Sequence, residues 1–578
     1  MDRSLDGGCA AVKLKIKPIW LWLLPLTFLG LFYFFPLGKI LSLSFGRGQG
    51  GVAGAFTQAL SSPGIRAVLW FTTWQAAVST LLTLLVGLPG AYLFARYDFR
   101  GKSLLKALTG VPFVLPTLVV AAAFMALLGP RGWINLGLMS WLGLSTPPIK
   151  FINTIWAILA AHVFYNTTIV LRLVGDFWSH LDPRLAQAAR VLGASGRQAW
   201  LRVTLPLLLP AIAAAALLVF LFDFTSFGVI LVLGGPRFAS LEVEIYTQTI
   251  SLFNLPLAAA LSVLQLAATL GITVLYSKLT EKLALPMQLK SRQATQRRLS
   301  TWRQRLPAGL LVAFMLAFFI LPLAGLAARS FTRLEPDRGR QNVQQGLTLE
   351  FYRALDDNPR SSLFYASPLS AIATSLGYAA AAVVLALLFG VPASWALARE
   401  RRDWFTRQVM DPLIMLPLGT SAVTLGLGFI AALNKPPFDL RTSPLLIPLA
   451  HTLVAFPFVV RSLTPALRRI QPRLRHAAAV LGASPGQAFR LVDLPLIGRA
   501  LLVAGTFAFT ISLGEFGATA LAGRPESPTI PVMIYRFLSQ PGGLNYGQAL
   551  ALSTILMAVT TAGMLGIERL RIAEIGEF

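Results

Sequence analysis

Ionisable side chains inside long apolar segments are the residues of this sequence that are best placed to do chemistry. Asp223 and Glu515 are each the single charge within such a segment, and His162 and His451 lie in two others. Because burying these groups is costly, they are candidates for contact with a charged solute. Two carboxylates that face a common path would attract a cation. Alternatively, the four side chains only bond neighbouring helices, or the carboxylates lie near the outer interface.

The sequence contains few residues that could bind a metal ion or a nucleotide. The single cysteine, Cys9, allows neither an internal disulfide nor a cysteine-based metal site, and the four histidines form no H-x-x-x-H pair. The sequence 101–103 reads G-K-S, but Arg96 stands where a phosphate-binding loop needs a glycine. No nucleophile motif or paired carboxylates are found. The chain is therefore predicted to be neither an enzyme nor a holder of a metal or other cofactor.

Composition places these residues in a membrane. Of the 578 residues, 55% are hydrophobic and only 13% are charged, too few charges to cover a soluble surface. Twelve apolar runs approach or exceed the roughly 20 residues that cross a bilayer, and in lipid they must be helices. The predicted fold is all-α, with 12 transmembrane helices. The runs lie at 19–38, 67–94, 107–129, 152–171, 207–233, 255–277, 306–328, 369–398, 412–434, 442–460, 500–522 and 547–566.

The basic residues predict an orientation. With the N-terminus inside, 34 of the 50 Lys and Arg side chains fall in the inner segments. The positive-inside rule then places both termini in the cytoplasm and the chain in the plasma or inner membrane. The excess of basic charge is explained by the membrane topology and by attraction to anionic lipid, so no nucleic-acid partner is predicted.

An internal repeat divides the chain. Residues 183–206, named loop A here, match residues 472–495, named loop B, at 15 of 24 positions without a gap. The same offset of 289 pairs His162 with His451 and Phe227 with Phe516. Six spans in each half make a parallel repeat with a path between the halves. The predicted units are an N-terminal tail (1–17), a first half (18–280), a linker (281–304) and a second half (305–578).

Loops A and B follow a helical pattern. Leu185, Ala188, Ala189 and Leu192 fall on one helical face, and Gly193 is placed to end the helix. Thr204 in loop A and Asp493 in loop B are predicted to cap the helices that follow. An apolar face in the cytosol is costly unless it is covered, which predicts docking on a partner.

The repeated pattern A-A-x-x-L-G-A, followed by L-P, resembles the coupling loop of permease subunits of binding-protein-dependent ABC importers. In that family a short helix of this loop inserts into a cleft of an ATPase subunit. Gln187 and His476 replace the glutamate that the family usually has before the two alanines. The matching positions are Ala188, Ala189, Gly193, Pro206, Ala477, Ala478, Gly482 and Pro495.

The resemblance implies two permease halves of the type I importer kind, a pair of identical ATPase subunits and an extracytoplasmic binding protein. The fused arrangement is similar to the thiamine and ferric-iron permeases, as are residues 234–246 and 513–535, which implies one of those solutes. Asp223, Phe227, Glu515 and Phe516 become substrate-path candidates. The ATPase-coupling candidates are Leu185, Gln187, Ala188, Ala189, Gly193, Ala194, Leu474, His476, Ala477, Ala478, Gly482 and Ala483.

A 12-helix secondary transporter driven by an ion gradient also has two parallel halves. It would need ion-relay carboxylates at mid-membrane, whereas Asp223 and Glu515 lie roughly 26–30 Å from the start of their helices. It also gives no reason for two matching apolar loops. The long outer segment 330–367 is compatible with contact to a binding protein or with a simple tether.

Overall fold

The computed structural model describes residues 19–46, 61–283, 296–333, 346–356, 366–399, 404–434 and 439–575. The predicted N-terminal tail lies outside these residues, as do parts of the linker and of the segment 330–367. The described chain is all-α apart from two pairs of two-residue strands. Strand β1 (Tyr97–Asp98) pairs with β2 (Arg297–Arg298), and β3 (Thr332–Arg333) pairs with β4 (Gly346–Leu347).

The helices follow the apolar runs of the sequence. Those of the first half are α1 (Ile19–Leu29), α2 (Phe35–Gly46), α3 (Pro63–Arg96), α4 (Lys102–Leu108), α5 (Val111–Val114), α6 (Thr117–Leu128), α7 (Trp133–Leu142), α8 (Ile155–His180), α9 (Arg184–Val191), α10 (Gly196–Ala199), α11 (Leu205–Phe224), α12 (Gly228–Leu233), α13 (Leu241–Ile250) and α14 (Leu255–Leu283). Those of the second half are α15 (Trp302–Ser330), α16 (Glu350–Arg353), α17 (Pro368–Arg399), α18 (Asp411–Met415), α19 (Ala422–Ala432), α20 (Leu446–Arg469), α21 (Pro472–Val480), α22 (Pro485–Ala488), α23 (Leu494–Gly514), α24 (Gly517–Ala522), α25 (Ile530–Leu538) and α26 (Gly543–Ile575).

Eleven helices of the described residues are long and apolar enough to cross a membrane, and one bent pair completes the predicted twelve. That pair bends by 95° between Gly419 and Ala422, two residues after Pro417. Pro116 likewise lies between α5 and α6. Proline removes a backbone donor, so both breaks fall where the helical hydrogen-bond ladder is weakest.

Two single spans predicted from hydropathy are wrong in detail. The run 207–233 ends as a helix at Phe224 and restarts at Gly228, and the run 500–522 ends at Gly514 and restarts at Gly517. The apolar composition continues through both breaks, so hydropathy alone does not reveal them. The segment between the fifth and sixth predicted spans is also not a surface loop, because α13 buries Leu241 and Ile245 fully.

The first span of each half packs on the other half. Helix α1 lies against α17, α2 lies against α19, and α15 lies against α6. Tyr33 bonds Thr420 at 2.7 Å, and the Trp133 indole donates to the Gly325 carbonyl at 3.1 Å. The halves are therefore held together by exchanged helices rather than by the linker alone.

In each half, an equivalent glycine lies at a close contact between two long helices. A Cβ on Gly87 would lie 2.7 Å from the Val170 side chain, and one on Gly390 would lie 2.6 Å from Val459. These contacts join α3 to α8 and α17 to α20, the equivalent pairs of the repeat. Small residues of this kind let helices approach closely in lipid.

Candidate functional site

In both loops, the first helix ends at a glycine whose backbone has the left-handed conformation. Gly193 has φ +90° and Gly482 has φ +84°. The N–H of Ala194 donates to the Ala189 carbonyl at 3.0 Å, and the N–H of Ala483 donates to Ala478 at 2.9 Å. This is the Schellman arrangement, which satisfies the last carbonyls of a helix and turns the chain sharply. The glycine predicted to end α9 does so.

The second short helix of each loop, α10 in loop A and α22 in loop B, begins with a capping box. The Gln198 amide oxygen accepts from the Ser195 N–H at 2.8 Å while Ser195 Oγ accepts from the Gln198 N–H. Ser484 and Gln487 repeat the pair in loop B. The caps predicted at Thr204 and Asp493 are wrong, because both residues already have helical backbone angles within continuous helices. No free helix N-terminus remains there to be capped.

Asp493 instead forms a buried ion pair. Its carboxylate is 2% exposed and accepts from Arg475 Nε at 2.7 Å, which ties α21 to the base of α23. The repeat-equivalent residues of loop A are Ala186 and Thr204, which cannot form such a pair. The two loops therefore share their shape but differ in how firmly they are joined to the following span.

The tips of both loops expose apolar side chains in matching fashion. Val191 and Leu192 are 87% and 88% exposed, and Val480 and Leu481 are both 87% exposed. These four residues are absent from the predicted coupling set, although the repeated V-L-G triplet marks them in the sequence. The predicted coupling residues surround the tips. They are exposed at Leu185, Gln187, Ala188, Gly193, Leu474, His476, Ala477 and Gly482, and half-buried at Ala189, Ala194, Ala478 and Ala483.

Substituting the left-handed glycines should loosen the loops. A β-branched residue at φ near +90° costs about 1–2 kcal/mol, so Gly193→Val should speed amide exchange of residues 189–196 by roughly 5- to 30-fold. Hydrogen exchange read by mass spectrometry measures this directly. Gly193→Asn is the matched control, since asparagine tolerates this conformation better. Equal exchange in the Val and Asn variants would refute the strain argument.

A cavity of about 460 Å³ lies between the two halves. Residues of both halves line it, and all four predicted path residues, Asp223, Phe227, Glu515 and Phe516, are among them. Its lining on α23 runs back from Gly514 to Phe507, so the cavity extends from the break after α23 toward loop B. Its aromatic lining consists of Phe113, Tyr165, Phe222, Phe227, Phe458, Phe507 and Phe516.

Phe227 and Phe516 meet across the pseudo-symmetry axis. Their rings stack with centroids 5.2 Å apart and an interplanar angle of 18°. Tyr246 contacts Phe227 and Tyr535 contacts Phe516, with centroids at 5.3 and 5.5 Å. A Cβ on Gly228 would lie 2.5 Å from Thr117 Oγ1, so only glycine fits beside this stack. The repeated Phe-Gly pair thus builds an aromatic contact between the halves, named the aromatic closure here.

Three carboxylic side chains line the cavity, of which Asp223 and Glu242 are buried and Glu515 is half-buried. Glu515 Oε1 accepts from the Ala518 N–H at 2.8 Å, which holds the turn into α24. Asp223 Oδ1 accepts from Asn166 Nδ2 at 2.7 Å. Glu242, on α13, accepts from Gln265 Nε2 at 2.9 Å and was missed by the sequence reasoning. Its short helix lies outside every predicted span, so no hydropathy signal marked it as buried.

The two paired histidines are held by hydroxyl groups. His162 bonds Ser79 Oγ at 3.0 Å and Ser226 Oγ at 2.8 Å. His451 bonds Ser512 at 2.7 Å and Thr519 at 2.8 Å. Both imidazole nitrogens are therefore engaged in each half. This arrangement favours the interpretation that these histidines join neighbouring helices.

The twelve spans, the exchanged helices and the two exposed loops define a multi-span membrane permease built from two equivalent halves. Residues 84–284 and 386–570 match the family described as binding-protein-dependent transport system inner membrane component, and the chain belongs to that family. Each matched range contains one of the two loops and one of the two stacked phenylalanines. The chain is therefore a multi-pass membrane transport subunit.

Several thiamine permeases are similar to the chain over most of its length. The thiamine transport system permease protein of Brucella abortus (strain 2308) is 30% identical over 542 residues, or 92% of each chain. The proteins of the same name from Escherichia coli (strain K12) and Salmonella typhimurium are 26% identical. They cover 85% and 83% of this chain and 88% and 85% of their own.

Proposed function

We propose that this chain forms the translocation path of an ATP-driven importer for thiamine or a closely similar heteroaromatic cation. The observation that carries the proposal is the cavity between the halves, which is lined by aromatic rings and by three carboxylic side chains. Aromatic faces and carboxylates are the groups that attract a desolvated organic cation. The names of the similar permeases support thiamine, while nothing in the cavity singles out ferric iron.

In this proposal, ATP is hydrolysed by two identical subunits that dock on loops A and B. The equal exposure of the two apolar tips supports one groove shape serving both loops. An extracytoplasmic binding protein delivers the solute to the opposite face, with both termini of the chain in the cytoplasm. Closure of the ATPase pair then moves the two loops together and reorients the halves around the cavity.

Purification of the tagged chain from mild detergent, followed by mass spectrometry and reconstitution, tests the proposal. We expect an ATPase subunit to co-purify and ATP to drive uptake of labelled thiamine presented on its binding protein. Uptake of ferric iron instead would correct the solute. A chain that purifies alone, with uptake that collapses when the proton gradient is dissipated, would replace the importer with a secondary transporter.

The aromatic closure should act as a gate. Phe227→Ala together with Phe516→Ala removes the stacked rings, whose pair energy is about 0.5–1.5 kcal/mol, and opens space beside them. Thiamine preloaded into proteoliposomes should then leak without ATP, several-fold to roughly ten-fold faster than from the wild type. The double Leu variant keeps apolar bulk and is the control. If the double Ala variant leaks no faster than the wild type, the path is closed by other residues.

A further inference from the structure

Loops A and B carry an excess of basic charge. Residues 183–204 contain four arginines and no Asp or Glu, and residues 472–492 contain three arginines, one histidine and no Asp or Glu. None of these basic side chains is a lysine. Six of the seven arginines are exposed, and they lie on the same two loops as the apolar tips. The arginines are Arg184, Arg190, Arg197, Arg202, Arg473, Arg475 and Arg490.

Only two carboxylates, Asp182 and Asp493, lie within or directly beside the loops, against seven arginines. Asp493 is buried and already paired with Arg475. Asp182 accepts from the backbone N–H of Arg184 at 3.0 Å, at the start of α9.

Topology alone does not account for this placement. The positive-inside rule is satisfied by Lys or Arg anywhere in a short inner segment. Here the charge lies on the two loops that carry the exposed apolar tips, and its permanent part consists only of arginine, whose guanidinium matches a carboxylate bidentately. An exposed apolar centre with a charged rim is the composition of a protein-docking surface rather than of a free loop.

We propose that the groove that receives each loop has an apolar floor and a rim of Asp and Glu side chains. This inference rests on the proposed docking of an ATPase subunit and specifies the chemistry of that partner. The apolar tips supply contact area, and the arginine rim sets orientation and association rate, as complementary charges do at other interfaces. Gln187 and His476 fit this picture, because neither adds a negative charge next to an acidic rim.

Salt-dependent retention of the co-expressed ATPase subunit on the purified full-length chain tests the inference. Raising NaCl from 50 to 500 mM should weaken retention of the wild-type complex about ten-fold, since exposed charge pairs are screened. Arg190→Glu with Arg197→Glu, or Arg473→Glu with Arg490→Glu, should weaken it about ten-fold at low salt and flatten the salt dependence. The corresponding Gln variants should fall between these and the wild type.

Lys278→Glu with Arg303→Glu is the matched control, because both side chains are exposed, basic and outside the two loops. Retention in this control should equal that of the wild type. Unchanged, salt-independent retention in the loop variants would overturn the acidic rim, as would a loss that appears only when anionic lipid is added. A wild-type chain that retains no ATPase at low salt would instead contradict the proposed function.

Discussion

Leu192→Asp combined with Leu481→Asp is expected to strip the ATPase subunits from the complex and abolish ATP-driven uptake. Both leucines are almost fully exposed at the loop tips, at 88% and 87%. Truncating an apolar anchor at the centre of an interface costs 2 kcal/mol or more, about 30-fold in affinity per loop. A buried carboxylate adds a desolvation penalty to that loss. Pull-down of the ATPase and uptake into proteoliposomes measure the two effects.

The double Met variant serves as the control, because methionine keeps an apolar side chain of similar volume. The single variants add a second comparison. If identical subunits dock on both loops, Leu192→Asp and Leu481→Asp should each lower retention to a similar extent. Normal retention in the double Asp variant would show that the tips do not form the docking surface.

Neutralising the cavity carboxylates should lower uptake without disturbing assembly. In Glu515→Gln the Oε1 atom that accepts from Ala518 is kept, while the side chain can no longer carry a negative charge. Glu242→Gln likewise keeps an acceptor for Gln265. A contact between a charged group and its partner contributes about 1.5–3 kcal/mol, which predicts roughly 10- to 100-fold slower uptake for each variant. Labelled thiamine uptake, with ATPase retention measured in parallel, tests this.

Glu244→Gln is the matched control for this pair. Glu244 lies on α13 two residues from Glu242 and accepts from Gln248 at 2.7 Å, but it is not part of the cavity lining. Thiamine uptake by the Glu244→Gln variant should equal that of the wild type. Wild-type uptake by Glu515→Gln would remove that residue from the proposed path, and equal losses at Glu242 and Glu244 would indicate a general effect on α13.

Much of the architecture follows from the sequence because its causes are local. A run of apolar residues crosses the membrane as a helix whatever its neighbours are, since backbone groups in lipid must bond within the segment. The repeat, the glycine that ends each loop helix and the family resemblance are also readable residue by residue. Comparison with known proteins confirms the permease halves, while the roles of individual loop residues stay predictions.

Other features depend on packing between distant residues. The breaks after Phe224 and Gly514 lie inside continuous apolar runs, so hydropathy predicts two straight spans where the chain turns. Glu242 lies on a short helix that is buried by packing against helices of both halves. Thr204 fails as a cap because the preceding turn continues into the next helix, which depends on geometry that the residue type does not report.

The membrane class, the twelve spans, the two equivalent halves and the paired loops can be predicted from the sequence, because they depend on local hydropathy and on internal similarity. The tertiary structure is needed to show that Phe227 stacks on Phe516, that three carboxylic side chains share one cavity, and that the loop tips are exposed. Each of these is a relation between side chains hundreds of residues apart or between a side chain and its surroundings. Such relations exist only once the exchanged first helices bring the two halves together.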